Sequence, residues 1–344
     1  MSQGLRVGLL GAAAIAPSAL IKPARLTPRV TVAAVAARDR GRAEAFARKH
    51  DIPVVHTGYE ALLADPEVDA VYVPLPNGLH AEWTLKALRA GKHVLCEKPL
   101  TANRAEAERV VEAADEAYAR SGLVVMEAFH YRHHPLAARI RQIVESGELG
   151  ELHHVEAQVC FPLPRFSDIR YDYGLAGGAT MDAGCYAVHV ARLLGGGTPA
   201  VTAAQMLTLR KDRRIDRAMS ADLAFPSGAT GRVRASMWSR RLLSIRARAI
   251  GSAGELNVTN FVMPQLYHQL TIRMPRSAGR RVVRRERLQP NPSSYACQLS
   301  AFASAVLDKS PVITSPADAV ANMGVLDEIY RTCGLPLRGE PQDR

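Results

Sequence analysis

The sequence predicts an α/β protein of two domains: a parallel, doubly wound sheet over residues 1–126, and an α/β domain with a mainly antiparallel sheet over 127–344. Three observations predict it. To about Met126, short β-rich runs alternate with helical patterns. Beyond Glu127 most strand-like runs follow one another without helices between them. The first strand opens into a loop of small residues led by Gly8 and Gly11. A length of 344 residues is more than twice the ~150-residue domain prior. With 47% hydrophobic and 22% charged residues the chain can bury a sizeable core, which excludes global disorder.

In the first domain, strands are expected at Leu5 to Leu10, Val30 to Ala36, Val54 to His56, Ala70 to Val73, His93 to Cys96 and Leu123 to Met126. Helical patterns fill Arg40 to His50, His80 to Ala90 and Asn103 to Arg120. Asn103 and Glu106 stand at capping-box spacing, so the last of these has a defined start. Beyond Glu127, Leu136, Ile140, Ile143 and Val144 mark one amphipathic helix, ended by Ser146-Gly147, and a strand runs from Leu152 to Phe161. A loop rich in Pro and Gly leads to Gly178. Strand-like runs then occupy Val201 to Arg210, Ala218 to Phe225, Thr230 to Trp238, Leu243 to Ile250 and Leu270 to Met274. Two helices follow: Tyr295, Leu299, Phe302 and Val306 share a face of the first, and Ser315, Pro316 and Asp318 open the second.

The formal charge is +11, from 44 Lys and Arg against 33 Asp and Glu, with one short basic cluster at Arg280 to Arg287. The basic residues are otherwise scattered. A phosphate-bearing cofactor or simple solubility accounts for the surplus, and no nucleic-acid partner is expected. Five widely spaced cysteines with no C-x-x-C pair fit a reduced, cytoplasmic protein. The apolar start from Val7 to Ile21 imitates a secretory signal, but Pro17 interrupts it, and it reads as the first strand and helix of a domain. No membrane segment is expected.

The first strand runs into Gly8-Leu9-Leu10-Gly11-Ala12-Ala13-Ala14-Ile15-Ala16. Read as G-x-G-x-x-G/A, its positions are Gly11, Ala13 and Ala16, with alanine in place of the second glycine. Ala13 is small enough to let helix-start amides approach a pyrophosphate, where the helix dipole favours negative charge. The second strand ends at Ala37-Arg38-Asp39, where dinucleotide domains meet the adenosine ribose. Arg38 offers a guanidinium to a phosphate on that ribose, which favours NADP. Asp39 pulls the other way, toward NAD; the alternative is that Arg38 is solvent-exposed and Asp39 only caps the next helix.

Residues 69–101 read DAVYVPLPNGLHAEWTLKALRAGKHVLCEKPLT. This resembles the glucose-fructose oxidoreductase / inositol dehydrogenase / rhizopine-catabolism (Gfo/Idh/MocA) family, whose signature includes a strand ending near P-x-P-N-x-x-H and a later E-K-P. The resemblance continues through Glu127 to Arg132, Gly177 to Tyr186, and Ser294-Tyr295 with Gln298 to Phe302. Within the family the chain is similar to the NADP-linked dihydrodiol and xylose dehydrogenases and keto-sugar reductases. The resemblance implies a Rossmann domain followed by an open, mainly antiparallel sheet whose exposed face often forms a homodimer or homotetramer contact, with the last helices able to pack back on the first domain. Nicotinamide would lie between the domains. Gly8, Gly11, Ala13, Ala14 and Ile15 would line the dinucleotide, Arg38 would meet the adenosine end, and Pro74, Leu75, Asn77, His80, Glu97 and Lys98 would surround ribose and nicotinamide.

Hydride exchange at a secondary alcohol or a lactol carbon needs a proton to move on or off the oxygen. Lys98 and Tyr186 are the expected acid/base pair, because an ammonium can donate to that oxygen and ease ionisation of a neighbouring phenol. Asp182, four residues before Tyr186, is expected to orient substrate hydroxyls or hold Lys98. His189 reads as a satisfied inner histidine. His130, His133 and His134 imitate metal spacing, but Pro135 breaks the helix they would need, so no metal is expected. Arg132, His134, Arg165, Asp168 and Arg170 are candidate substrate-pocket groups for a sugar or diol. The expected activity is NAD(P)-dependent oxidation or reduction of such a substrate. Its rivals are the family's NAD-dependent glycosidase branch and a non-catalytic dinucleotide sensor.

Overall fold

The computed structural model describes residues 4–277 and 280–340. Residues 4–133 with 293–320 form one compact unit, and 134–292 with 321–340 a second. The first unit alternates β1 (Leu5–Leu10), α1 (Lys22–Leu26), β2 (Val30–Ala36), α2 (Arg40–His50), β3 (Val54–His56), α3 (Tyr59–Leu63), β4 (Ala70–Val73), α4 (His80–Arg89), β5 (His93–Cys96), α5 (Arg104–Ser121) and β6 (Val125–Glu127). The strands are parallel throughout, in the order β3-β2-β1-β4-β5-β6. This is the expected doubly wound sheet, and its order reverses at the β1/β4 crevice, where such sheets bind ligands. Val71, Val73, Val94 and Cys96 sit in its fully buried middle with Leu62 and Trp83, which is why β4 and β5 read as nearly unbroken apolar runs.

Local chemistry sets the helix ends. Asp39 accepts from Arg42 N at 2.6 Å and starts α2. At α5, Asn103 accepts from Glu106 N at 2.8 Å while the Glu106 carboxylate takes Ala102 N at 2.9 Å, and Gly122 closes the helix at φ 68°.

The second unit opens with α6 (Pro135–Glu145), then β7 (Leu152–Cys160), α7 (Cys185–Gly195), β8 (Ala200–Thr208), β9 (Asp216–Ala224), β10 (Thr230–Ser236), β11 (Ser244–Gly251), β12 (Glu255–Thr259), β13 (Gln269–Ser277) and β14 (Arg280–Glu286). They form one eight-stranded sheet, β14-β13-β12-β11-β7-β10-β9-β8, antiparallel except between β7 and β10. The mainly antiparallel reading is confirmed. Alternate residues Val155, Ala157, Val159, Val233, Ala235, Ala247 and Ala249 are buried, and α7 packs on β7, β10 and β11. The basic cluster near Arg280 is the edge strand β14. There Arg284 pairs with Glu148 and Glu286, and Arg139 with Glu286, a charged edge of the kind that discourages further strand pairing.

Two helices end the chain, α8 (Ser294–Asp308) and α9 (Pro316–Thr332). Helix α8 belongs to the first unit and packs on the helical segment that leaves the glycine loop. Among the described residues no helix is long and apolar enough to cross a membrane.

Candidate active site

Gly11 ends β1 at φ 107°, a left-handed conformation that favours glycine, and a Cβ there would lie 3.1 Å from Leu75 Cδ2 and 3.7 Å from Tyr59 Oη. Three segments therefore converge on one glycine. Tyr59 also lies against the Arg38 backbone amide, and burial pushes its phenol up while Arg38 and Arg42 pull it down. Its ring meets Trp83 edge-on at 4.8 Å. Arg38 itself is exposed at the end of β2. The Asp39 carboxylate caps α2 through one oxygen. Ala13 is half-buried, and Ala14 and Ile15 are exposed at the loop. At Gly8 the constraint is packing. A Cβ there would strike Leu62 Cδ2 at 2.6 Å, so glycine is required for the fit of α3 under the sheet.

After β4, Pro74 is buried while Leu75 and Asn77 are half-buried. His80 is wholly buried, with Nε2 2.7 Å from Leu75 O and Nδ1 2.7 Å from Pro99 O. A neutral ring donates to one of these carbonyls at a time. Burial pushes the imidazole down to about 4, with Lys98 adding to the effect and the two carbonyls opposing it. The folded protein therefore keeps the ring neutral where the unfolded chain, near 6.5, takes up a proton. Stability should be full above pH 6.5 and fall as pH drops toward 4, by on the order of 3 kcal/mol from this group. Urea unfolding across that range should show a steeper pH dependence in the wild type than in His80→Gln. Equal slopes would refute it.

The loop after β5 carries Glu97 and Lys98, both half-buried. Tyr72 Oη donates to Glu97 Oε1 at 2.6 Å, and Leu100 N donates to the buried Glu127 carboxylate at 2.8 Å, so carboxylates fix the loop on both sides of Lys98. Helix α8 adds Tyr295, whose phenol burial pushes up strongly, with Glu97 reinforcing and Lys98 opposing. The Tyr295 ring lies 4.1 Å from that of His130, whose Nδ1 meets Ser294 Oγ at 2.9 Å.

Gln298, on the same helix, is fully buried, and neither its Nε2 nor its Oε1 has a hydrogen-bond partner among the described residues. Such an orphaned amide is costly. It fits a site completed by a polar ligand, and with the Gly11 cradle it makes this unit suited to a dinucleotide. Sequence reasoning missed Tyr59 and Gln298. The signal for Gln298 was a polar residue on the same face as Tyr295 and Phe302.

In the second unit, Asp182 lies in a π-helical turn, Thr180–Gly184, that runs into α7 and so to Tyr186. The expected helical spacing is thus a wider turn, of a kind that recurs at functional sites. Tyr186 is 7% exposed, and His189 is buried in α7. Arg170 bridges two acids, with Nη1 3.1 Å from Asp168 Oδ1 and Nε 3.2 Å from Asp182 Oδ2. Arg165 is exposed. His134 is the N-cap of α6, accepting from Leu136 N at Nδ1 (3.0 Å) with Nε2 3.1 Å from Asn291 Oδ1. Arg132, in the first unit, is half-buried.

A family model described as oxidoreductase family, NAD-binding Rossmann fold, matches residues 5–125, and one for the GFO/IDH/MocA C-terminal domain matches 137–257. The chain is 40% identical over 326 residues to D-xylose 1-dehydrogenase (NADP(+)) 2 of Haloferax volcanii, covering 94% of this chain and 96% of that one. It is 36% identical over 307 residues to a dTDP-3,4-didehydro-2,6-dideoxy-alpha-D-glucose 3-reductase of Streptomyces violaceoruber, covering 88% and 86%. The crystal structure of a 3-ketoreductase from Actinomadura kijaniata, in complex with NADP and TDP-benzene, superposes with a TM-score of 0.85 at 32% identity, covering 96% and 98%. Two matched domains, the strand order and relatives aligned over nearly the full length agree: the chain belongs to the Gfo/Idh/MocA family of NAD(P)-binding oxidoreductases.

Proposed function

We propose that this oxidoreductase uses NADP(H) to interconvert a secondary alcohol or lactol carbon and the corresponding carbonyl of an uncharged sugar or diol. The observation that carries the cofactor choice is at the end of β2: Arg38 and Arg42 stand beside Tyr59, two cations where a ribose phosphate would lie, and Asp39 caps α2 through one oxygen. Gly11, Ala13, Ala14, Ile15, Pro74, Leu75 and Asn77 would hold the dinucleotide, and Gln298 would answer one of its polar groups. When bound, nicotinamide supplies the hydride acceptor or donor.

Lys98 and Tyr186 form the acid/base pair at the reacting oxygen, and Asp182 orients a neighbouring hydroxyl. An uncharged substrate is supported by Arg170, whose charge is already met by Asp168 and Asp182, so it does not stand ready for a phosphate. The relatives named for xylose and for a dTDP-linked sugar frame that choice. A homodimer or homotetramer formed through the eight-stranded sheet, in a reducing cytoplasm, completes the proposal. Its support is the sheet face that carries Arg232 with Asp222 and Arg248 with Glu255, together with five widely spaced cysteines that form no C-x-x-C pair.

The test is a screen of aldoses, keto-sugars, diols and dTDP-sugars with NADP+ and NAD+ or their reduced forms, following absorbance of the reduced ring. Turnover of a free sugar or diol with preference for NADP is expected. Sugar release without net absorbance change would indicate a glycosidase. Flat traces with tight NADP binding would indicate a sensor.

A further inference from the structure

We propose that Arg338 is a positioning residue for the segment that carries Asp182 and Tyr186. Arg338 follows α9, and its side chain is fully buried, so it touches no substrate. Its guanidinium donates from Nε to Gly177 O (2.6 Å), from Nη1 to Pro336 O (3.0 Å), and from Nη2 to Arg214 O (2.9 Å) and Asp216 Oδ1 (3.0 Å). Its carbon lies 4.2 Å from the Tyr330 ring centre and 5.0 Å from that of Tyr173. Asp216, the first residue of β9, is equally buried and passes this anchoring on. Its Oδ2 accepts from both Thr180 N and Thr180 Oγ1 at 2.7 Å, and its Oδ1 also accepts from Tyr330 Oη at 2.9 Å. Thr180 is the first residue of the π turn that contains Asp182 and continues into the helix of Tyr186.

The geometry leaves the segment no slack. A Cβ at Gly178, whose φ is 133°, would lie 2.2 Å from Asp216 Oδ1, and one at Gly177 would lie 2.6 Å from Arg170 O. Backbone and carboxylate touch only because both positions are glycine. Stability alone is a weak reason for such an arrangement, since buried ion pairs can often be replaced by apolar groups without loss. Directional bonds do what apolar packing cannot: they fix the start of the turn in angle as well as distance. The tail of the chain therefore sets where the Asp182 carboxylate and the Tyr186 phenol stand. A misplacement of about 1 Å there costs on the order of a hundredfold in rate.

This inference rests on the proposed roles of Tyr186 and Asp182, and the experiment separates the two. Arg338→Ala, Arg338→Lys, Tyr330→Phe, Thr180→Val and Tyr186→Phe are compared in kcat, KM, NADP+ dissociation constant and melting temperature. For Arg338→Ala we expect kcat to fall roughly 30- to 100-fold while NADP+ affinity stays within about twofold, because the dinucleotide residues belong to the other unit. Millimolar guanidinium should restore part of kcat, and equal sodium chloride should not. Tyr330→Phe and Thr180→Val each remove one bond to Asp216 and should lower kcat by about three- to tenfold.

A folded Arg338→Ala enzyme with wild-type kcat and only a lower melting temperature overturns the proposal. If that variant does not fold, unchanged kcat in both Tyr330→Phe and Thr180→Val overturns it. Normal turnover in Tyr186→Phe sinks the acid/base reading itself. Loss of turnover in Tyr186→Phe alone sinks only the positioning role.

Discussion

Lys98→Ala is expected to lower kcat by about a thousandfold, within the range that a positioned general acid/base contributes, while the NADP+ dissociation constant changes by no more than a few-fold. The reason is the setting of the side chain. Lys98 is half-buried at the carboxyl end of β5, and carboxylates fix its loop on both flanks, Glu97 through Tyr72 and Glu127 through Leu100 N. An ammonium held this way loses little entropy when it meets a reacting oxygen. Lys98→Arg separates proton transfer from charge. A guanidinium keeps the positive charge but cannot release a proton near neutrality, so this variant should stay within about tenfold of the alanine enzyme. Pre-steady-state traces of the hydride step are the measurement. Near-normal bursts in Lys98→Ala would remove Lys98 from the chemistry, and full activity in Lys98→Arg would reduce its role to electrostatics.

Arg38→Ala should weaken NADP+ binding by about 30- to 100-fold, since a charge-assisted bond to a phosphate is worth roughly 2–3 kcal/mol. NAD+ binding should hardly change, so the variant approaches indifference between the two cofactors. The prediction follows from the place of Arg38, exposed at the end of β2 beside Tyr59, while one oxygen of Asp39 caps α2 2.6 Å from Arg42 N. Calorimetric titration with both cofactors decides the matter. An equal loss for NADP+ and NAD+ would place Arg38 on the part of adenosine that they share.

Much of this was legible in the residues. Strands β1 to β5 fall where the apolar runs put them, and for β1, β4 and β5 the reason is that a strand buried on both faces has no choice but to be apolar. Asn103 with Glu106, and Ser315 with Pro316, mark helix starts by chemistry confined to a few residues. Strands β12 and β14 were not legible. Glu255–Thr259 is short and half-polar, and Arg280–Glu286 is mostly arginine; each is a strand only because a neighbouring strand supplies the ladder. Three candidate residues have surroundings that the sequence did not foretell. Gly8, His80 and His134 have the composition of ligand contacts, but whether a glycine faces a helix, or an imidazole faces carbonyls, depends on segments far along the chain or on local backbone turns that composition does not reveal.

By itself the sequence determined the order of elements, the glycine turn after β1, the arginine at the end of β2 and the motifs that mark the oxidoreductase family, since each is encoded within a few neighbouring residues or a repeat of apolar positions. Only the tertiary structure decided that Tyr59 stands over Gly11, that α8 brings Tyr295 and Gln298 to the dinucleotide unit, and that Arg338 anchors the turn before Tyr186 through Asp216. These are contacts between residues tens to hundreds of positions apart. Burial and hydrogen-bond satisfaction over the whole chain select them, and no local pattern records that selection.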